Sequence, residues 1–506
     1  MKIVIVGGGT AGWIAALYIS TIQTNIKLTL IESEDIGIIG AGEGSTSLLT
    51  GIISNKSFNF NCDELDFIKK TGATMKYGII HKGWTNNIDQ SYIGPIDGSM
   101  TGNHNVDASF LHAVSKLPAE EIHRASAAGF LIKNNKASFT KNLNDKVDAH
   151  AYHFDAHLVG KYFKEICLKN NVEHINDQVL DVNLNETGNI SGLVLKSGKI
   201  INGDFFIDAS GFKKLLIEKM GSKWISYKKY LPVNAALPFQ IKYKENEEIS
   251  PTTLAWAHSA GWMWRIPVRE RYGAGYVFSD DFITPEKAQA EIEQSLGHEI
   301  DPIRLIKFDA GRLDKCWNKN CLAIGLASAF LEPLEATSIH STIVMINWFV
   351  MDFLRDYSDQ TSNPANQKLF NDRCDKMFES FKDFLVMHYQ GGRTDSEFWK
   401  YISSGATETD FVRALKESCK SRIPNSRDFD NFAGSAGWPL WSYVMAGTGV
   451  ITPKIAQSEL DFYHLNEYSE KLFKETEEYL ENTFGHLIDN TELITRSRDP
   501  AFRGTI

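Results

Sequence analysis

No stretch of this chain strings together the roughly 20 apolar residues that cross a bilayer, and none gathers basic residues into a block. The first absence excludes a helical membrane span. The second, with a formal net charge of -10 over 506 residues, argues against nucleic acid as a bulk partner. Low-complexity tracts and internal repeats are also absent, which leaves repeat architectures out. Cysteine is scarce and scattered: Cys62, Cys167, Cys316, Cys321, Cys374 and Cys419 form no CxxC pair. They read as reduced, packed thiols, and without a charged-then-apolar leader the expected location is cytoplasmic. What remains, 43% hydrophobic and 23% charged residues, is the composition of a globular protein with a substantial core.

The strongest local signal is MKIVIVGGGTAGW at residues 1–13. An apolar run at 3–6 leads into Gly7, Gly9 and Gly12 in GxGxxG spacing, and a helical pattern follows through Ala15, Ala16, Leu17 and Ile19. Gly7 permits the tight turn, Gly9 lets backbone approach a pyrophosphate, and Gly12 lets helix and strand pack closely. A second run, residues 27–31, ends in Glu32, about twenty residues on, where an acid binds a ribose hydroxyl pair. A lone GxGxxG is weak, but strand, glycines, helix, strand and acid agree here, so a bound dinucleotide is expected. Gly37, Gly40, Gly42, Glu43 and Gly44 then crowd together, as backbone does when wrapped around something flat or phosphorylated. Only one GxGxxG has this context. A dedicated NAD(P)H domain is therefore not expected, and electrons must come from outside.

Further along, residues 63–84 read as helical before turning extended near Gly83 and Trp84, and 85–145 as an irregular excursion covering a pocket. A helix is expected from Tyr152 to Leu168. His153 and His157 on it, four apart, have the spacing of metal ligands, but no third ligand is evident and a polar helix edge is the plainer reading; no metal is expected. Residues 179–184 and 190–201 read as a small meander. Phe205 to Gly211 and Cys321 to Ser328 are two more strands ending in small residues. Three such strand ends separated by insertions resemble the FAD-binding fold of glutathione reductase and the aromatic hydroxylases. The expected fold is thus α/β of glutathione-reductase type. An FAD-binding module occupies 1–350, with insertions near 85–150 and substrate-domain strands at 232–310. A mainly helical region fills 351–506 and covers the substrate.

Residues 261–267 read GWMWRIP. On an extended strand Trp262 and Trp264 share one face, either as core or as a wall beside a bound ring. GWxWxIP is the signature of flavin-dependent halogenases, and the chain resembles the tryptophan halogenase group almost end to end. The likeness runs through VGGGTAGW, GxGE at 40–43, HFDAHLV at 153–159, FIDASGF at 206–212, GYVFS at 275–279 and FLEPLEATSI at 330–339. The lean chain is similar to a phage-encoded member of that family.

The resemblance implies a catalytic lysine at Lys76 and a catalytic glutamate at Glu335, with Glu332 as the competing acid. It implies FAD contacts at Gly7, Gly9, Thr10, Ala11, Gly12, Glu32, Gly42, Glu43, Val179, Leu326 and Ile339, and a halide cradle at Thr337 and Ser338. Trp262, Trp264, Trp438 and Trp441 are expected to line the substrate. Reduced FAD, supplied by a separate NADH-dependent flavin reductase, would act with oxygen and halide to give hypohalous acid. Lys76 would relay it to a small, electron-rich aromatic substrate; a homo-oligomer is left open. The apolar neighbours Met75, Tyr77, Ile79 and Ile80 point to a buried Lys76, whose amine burial would free of its proton.

Three departures stand out. Ser338 takes the place of a family glycine at the halide loop, which favours bromide or iodide over the more strongly hydrated chloride. Ile93 and Pro95 stand where the family stacks His and Phe on its substrate. GWPLWSY at 437–443 replaces a segment that grips free tryptophan. An FAD-dependent aromatic hydroxylase is the alternative activity, and a non-catalytic carrier of the same fold a third reading.

Overall fold

The computed structural model describes residues 1–34, 42–54, 58–96, 107–147, 150–354, 363–429 and 434–502. Gly37 and Gly40 lie outside the described residues. A six-stranded sheet organises the first part, in the spatial order 317–318, 321–323, 205–208, 2–6, 27–32, 173–176. Its inner strands are parallel, with Ile3 opposite both Phe205 and Leu28. Ile3, Val4 and Ile5 are wholly buried, as a continuous apolar run in a sheet covered on both faces must be. The helix Thr10–Ile22 packs on helices Ala156–Lys169 and Thr337–Trp348. Val6, Asp208 and Ala323 stand in register across three strands. The turns that follow them, at Gly7, Ala209–Gly211 and Gly325, therefore converge at one edge of the sheet, where open α/β sheets bind their ligands.

Asp208 holds that edge. Its buried carboxylate accepts from the amides of Ser210 (3.0 Å), Leu216 (2.8 Å) and Ile217 (2.9 Å) and from the Ser210 hydroxyl (2.6 Å). The acid at this strand end fastens a turn.

A seven-stranded sheet follows the order 306–307, 235–242, 271–278, 261–268, 252–258, 78–82, 91–95. The GWMWRIP strand Gly261–Val268 lies inside it, antiparallel to Thr252–His258 and Arg271–Phe278. A Cβ on Gly275 would sit 2.2 Å from ring carbons of Trp264, so only glycine leaves this indole its place. A three-stranded sheet joins Glu43–Gly44 and Thr74–Lys76 on either side of Ala151–Phe154. There Gly44 and Thr74 both pair with His153, which brings Glu43 and Lys76 into one neighbourhood.

Three local expectations are corrected. Residues 151–154 are a strand, and Asp155 caps a helix that starts at Ala156, accepting from the amides of His157 (3.0 Å) and Leu158 (3.3 Å). His153 is thus buried on a strand and bonded to Thr253 Oγ1 at 2.8 Å, while His157 is exposed on the helix; they are no ligand pair. The helix of 63–84 is only Glu64–Thr71, because Gly72 ends it in the left-handed conformation (φ 65°), and strands Thr74–Lys76 and Gly78–Lys82 follow. The stretch 85–145 is ordered where described, with strand Ser91–Pro95, helices Ala108–Lys116 and Ala127–Lys133, and strand Lys136–Thr140. The last pairs with Leu487–Asp489, which ties this insertion to the C-terminal part. Beyond Ile343 the described chain is mainly helical, as expected. No described helix is long and apolar enough to cross a membrane. All six cysteines are free and buried.

Candidate active site

A cavity of about 340 Å³ opens between the converging turns and the seven-stranded sheet. Of the residues expected to act, Gly9, Thr10, Ala11, Gly42, Glu43, Lys76, Trp262, Trp264, Leu326, Glu335, Thr337, Ser338 and Ile339 all line it. Gly7, Gly12, Glu32, Val179, Trp438 and Trp441 are not part of its wall. Gly7 and Gly12 shape the turn from behind: Gly7 has φ 115°, and a Cβ on Gly12 would lie 1.9 Å from the Gly7 carbonyl oxygen. Glu32 is held by Lys164 at 2.8 Å and His174 at 2.9 Å. Val179 is buried in the meander strand Val179–Leu184. Trp441 is buried among Phe384, Phe411 and Phe429, and Trp438 begins the helix Trp438–Gly447.

The wall fits a dinucleotide at its first turn. Helix Thr10–Ile22 has no side-chain cap on its leading amides, and a Cβ built on Gly9 would meet nothing within 4 Å. Open backbone at a helix N-terminus is what a pyrophosphate needs. Across the cavity, helix Thr337–Trp348 likewise begins without a side-chain cap, directly after two residues in the left-handed region, Glu335 (φ 66°) and Ala336 (φ 53°). Non-glycine residues there are strained, and such strain gathers at functional sites. Ser338 itself is helical, so the strain precedes it.

Lys76 is 3% exposed, and its ammonium donates to the Ser45 carbonyl at 3.0 Å. Burial pushes it down to about 8, the charge of Glu335 restoring only part of the loss. Glu43 is pushed up to about 7, by burial and then by the nearby Asp155 charge. Glu335 Oε1 meets His388 Nε2 at 3.0 Å and lies 3.8 Å from His81 Nε2. Burial would raise this carboxyl, but the His388 hydrogen bond and the charges of His388, His81 and Lys76 outweigh it, so it sits below the usual range. Glu332 behaves oppositely. It is 2% exposed and burial lifts it to about 8, although Tyr389 donates to it at 3.0 and 3.2 Å. Trp262 and Trp264 stand 6.4 Å apart at 63° and form one side of the wall.

The cavity thus presents a buried, readily deprotonated amine, an ionised carboxylate and an uncapped helix N-terminus facing a dinucleotide-type turn. A profile of the family described as Tryptophan halogenase matches residues 2–461. The chain belongs to that family. It is similar to the 7-chloro-L-tryptophan 6-halogenase of Kutzneria sp. (strain 744), 29% identical over 484 residues, with 90% of this chain and 92% of the relative covered. It is 31% identical over 428 residues to the tryptophan 7-halogenase of Lentzea aerocolonigenes, covering 79% of this chain and 78% of that one. Among solved structures, the tryptophan C-6 flavin-dependent halogenase (chlorinase) from taromycin biosynthesis superposes with a TM-score of 0.88 at 26% identity, over 98% of this chain and 100% of that one. The family member described here is accordingly an enzyme of the flavin-dependent halogenase class, of the α/β fold that the strand ends suggested. The hydroxylase and carrier readings are not favoured.

Sequence reasoning missed His81, His388 and Ser45. His81 comes from strand Gly78–Lys82 and His388 from the end of helix Pro364–His388, and only tertiary packing brings their rings to 5.0 Å. No periodicity links them. For Lys76, the partner is the backbone carbonyl of Ser45, just after strand Glu43–Gly44 of the same sheet, which no motif encodes.

Proposed function

We propose that this enzyme halogenates an electron-rich aromatic ring, with Lys76 passing the halogen from hypohalous acid to the substrate. The observation that carries the reading is the amine itself: Lys76 is buried, its proton is weakly held, and it lines one cavity with Glu335 and the turn at Gly9. FAD, delivered reduced by a separate NADH-dependent reductase, would be held by Gly9, Thr10, Ala11, Gly42, Glu43, Leu326 and Ile339 and would supply the oxygen activation that oxidises halide. Gly7 and Gly12 shape that turn, and Glu32 and Val179 would serve the adenosine part.

The first amides of helix Thr337–Trp348, at Thr337 and Ser338, hold the halide, because uncapped N–H groups and the helix dipole favour an anion. The neutral Lys76 amine takes the halogen, releasing water, or holds hypohalous acid by a hydrogen bond. The ring then attacks the halogen, and Glu335 orients the amine or accepts the ring proton. Trp262 and Trp264 flank the path, while Trp438 and Trp441 belong to the segment that covers the substrate. Bromide or iodide is preferred over chloride, since Ser338 adds a side chain at the halide loop and chloride, the most hydrated, depends most on well-placed donors. The GWPLWSY segment favours varied electron-rich rings over free tryptophan.

The test is a substrate panel assayed by product mass with equal concentrations of the three halides, FAD, a flavin reductase and NADH. Halogenated products with bromide or iodide dominant support the reading. Hydroxylated products without halogen overturn it, and an unchanged halide ratio in Ser338→Gly removes the proposed cause of selectivity. Omitting the reductase should abolish turnover, and photochemically reduced FAD should restore it.

A further inference from the structure

Behind Glu335, away from the turn that receives the dinucleotide, two wholly buried imidazoles converge on one carboxylate oxygen. His388 Nδ1 lies 2.8 Å from the Phe384 carbonyl, which can only accept, so this nitrogen donates. The neutral ring then has a bare lone pair on Nε2. Yet Nε2 faces Glu335 Oε1 at 3.0 Å. Two lone pairs do not meet at that distance without a proton, or another cation, between them. His81 adds a second donor, its Nε2 3.8 Å from the same oxygen. Among the described residues neither nitrogen of His81 has a hydrogen-bond partner, and the ring is 0% exposed. An orphaned buried polar group is costly, so a ring kept in this state invites a ligand.

We infer that His81, Glu335 and His388 form a binding site for a divalent transition-metal ion of the zinc type. The three ligand atoms all lie within 4.8 Å of one another. A tetrahedral zinc centre with bonds of about 2.1 Å spaces its donors about 3.4 Å apart, and the observed 3.0 and 3.8 Å bracket that value. Two imidazoles and one carboxylate suit zinc, cobalt or nickel rather than magnesium or calcium, which prefer oxygen. The Phe384 carbonyl is the outer partner that orients His388, and the stack of His81 on Tyr92 (4.6 Å, 10°) orients the other ring. Binding replaces the proton shared by His388 and Glu335, which leaves to solvent. Of the three ligands, Glu335 also lines the cavity. An ion here takes Glu335 away from Lys76 and silences the enzyme; that consequence rests on the role proposed for Glu335, whereas the site does not.

The test is a titration of the flavin-free, tag-free protein with Co2+, read by its visible ligand-field bands and reversed by Zn2+. One ion per chain is expected. His81→Phe, which keeps a ring on Tyr92, His388→Gln and Glu335→Gln should each weaken binding by more than about 100-fold. In the halogenation assay Zn2+ should inhibit the wild type at the same midpoint and spare His81→Phe. Absence of stoichiometric Co2+ binding by the wild type, or binding that survives all three substitutions, overturns the site. Stoichiometric binding by a protein that halogenates nothing leaves the site standing and overturns the functional reading instead.

Discussion

Lys76 Nζ donates to the carbonyl of Ser45 at 3.0 Å, and among the described residues it forms no ion pair. A buried ammonium held by one neutral dipole is poorly compensated, which is why it sits at about 8 instead of 10.5. Between these values the unfolded chain carries a proton at this position that the folded chain lacks. Folding stability therefore rises with pH across that window, and the penalty is fully present below about pH 8. Lys76→Met removes it. At neutral pH urea unfolding should show the variant more stable by up to about 3 kcal/mol, with the gain shrinking as pH approaches 10.5.

Glu332 gives the opposite slope. Its carboxyl, lifted by burial to about 8, keeps a proton in the folded chain that the unfolded chain loses above 4.5. The stability it contributes is complete below pH 4.5 and is lost as pH rises through about 8. Glu332→Gln, a neutral group of the same shape, should flatten the fall in urea midpoint between pH 5 and 8. A profile identical to the wild type would show that Glu332 is ionised in the folded state.

The register that brings Gly275 under Trp264 makes the wall sensitive to one methyl group. Gly275→Ala places a Cβ 2.2 Å from the indole, and the ring must move. Overpacking of this kind costs about 1–3 kcal/mol. Thermal unfolding should report that loss, and FAD affinity, measured by flavin fluorescence, should fall with it because the same indole lines the cavity.

His388 supplies the only hydrogen bond of Glu335 among the described residues. His388→Phe should destabilise by about 1–3 kcal/mol, since it strands a half-buried carboxylate. The double variant His388→Phe/Glu335→Gln should recover part of that loss. Additive losses in urea unfolding would mean that the pair is not coupled.

Much of the frame was legible because its signals are local. The apolar run at 3–6, the three glycines and the apolar second strand encode a strand-turn-helix-strand that packs as read, and GWMWRIP is an inner strand with both indoles on the cavity side. Lys76 and Glu335 were legible only through resemblance; nothing in their immediate spacing marks them. The misread helix at 152–168 failed on a signal that was present, Asp155, whose N-cap role separates a buried strand from the helix after it. His81 and His388 could not be read at all. Their meeting depends on how an inner strand of the seven-stranded sheet and the last turn of a 25-residue helix are packed together, and no short-range pattern carries that.

The central claim is that the amine of Lys76 transfers the halogen. Its most direct test compares wild type and Lys76→Ala supplied with photochemically reduced FAD, oxygen and bromide, with product mass and flavin reoxidation followed in the same reaction. Lys76→Ala should bind FAD and reoxidise it at close to the wild-type rate while brominated product disappears. Bromination by Lys76→Ala at near wild-type rate would contradict it.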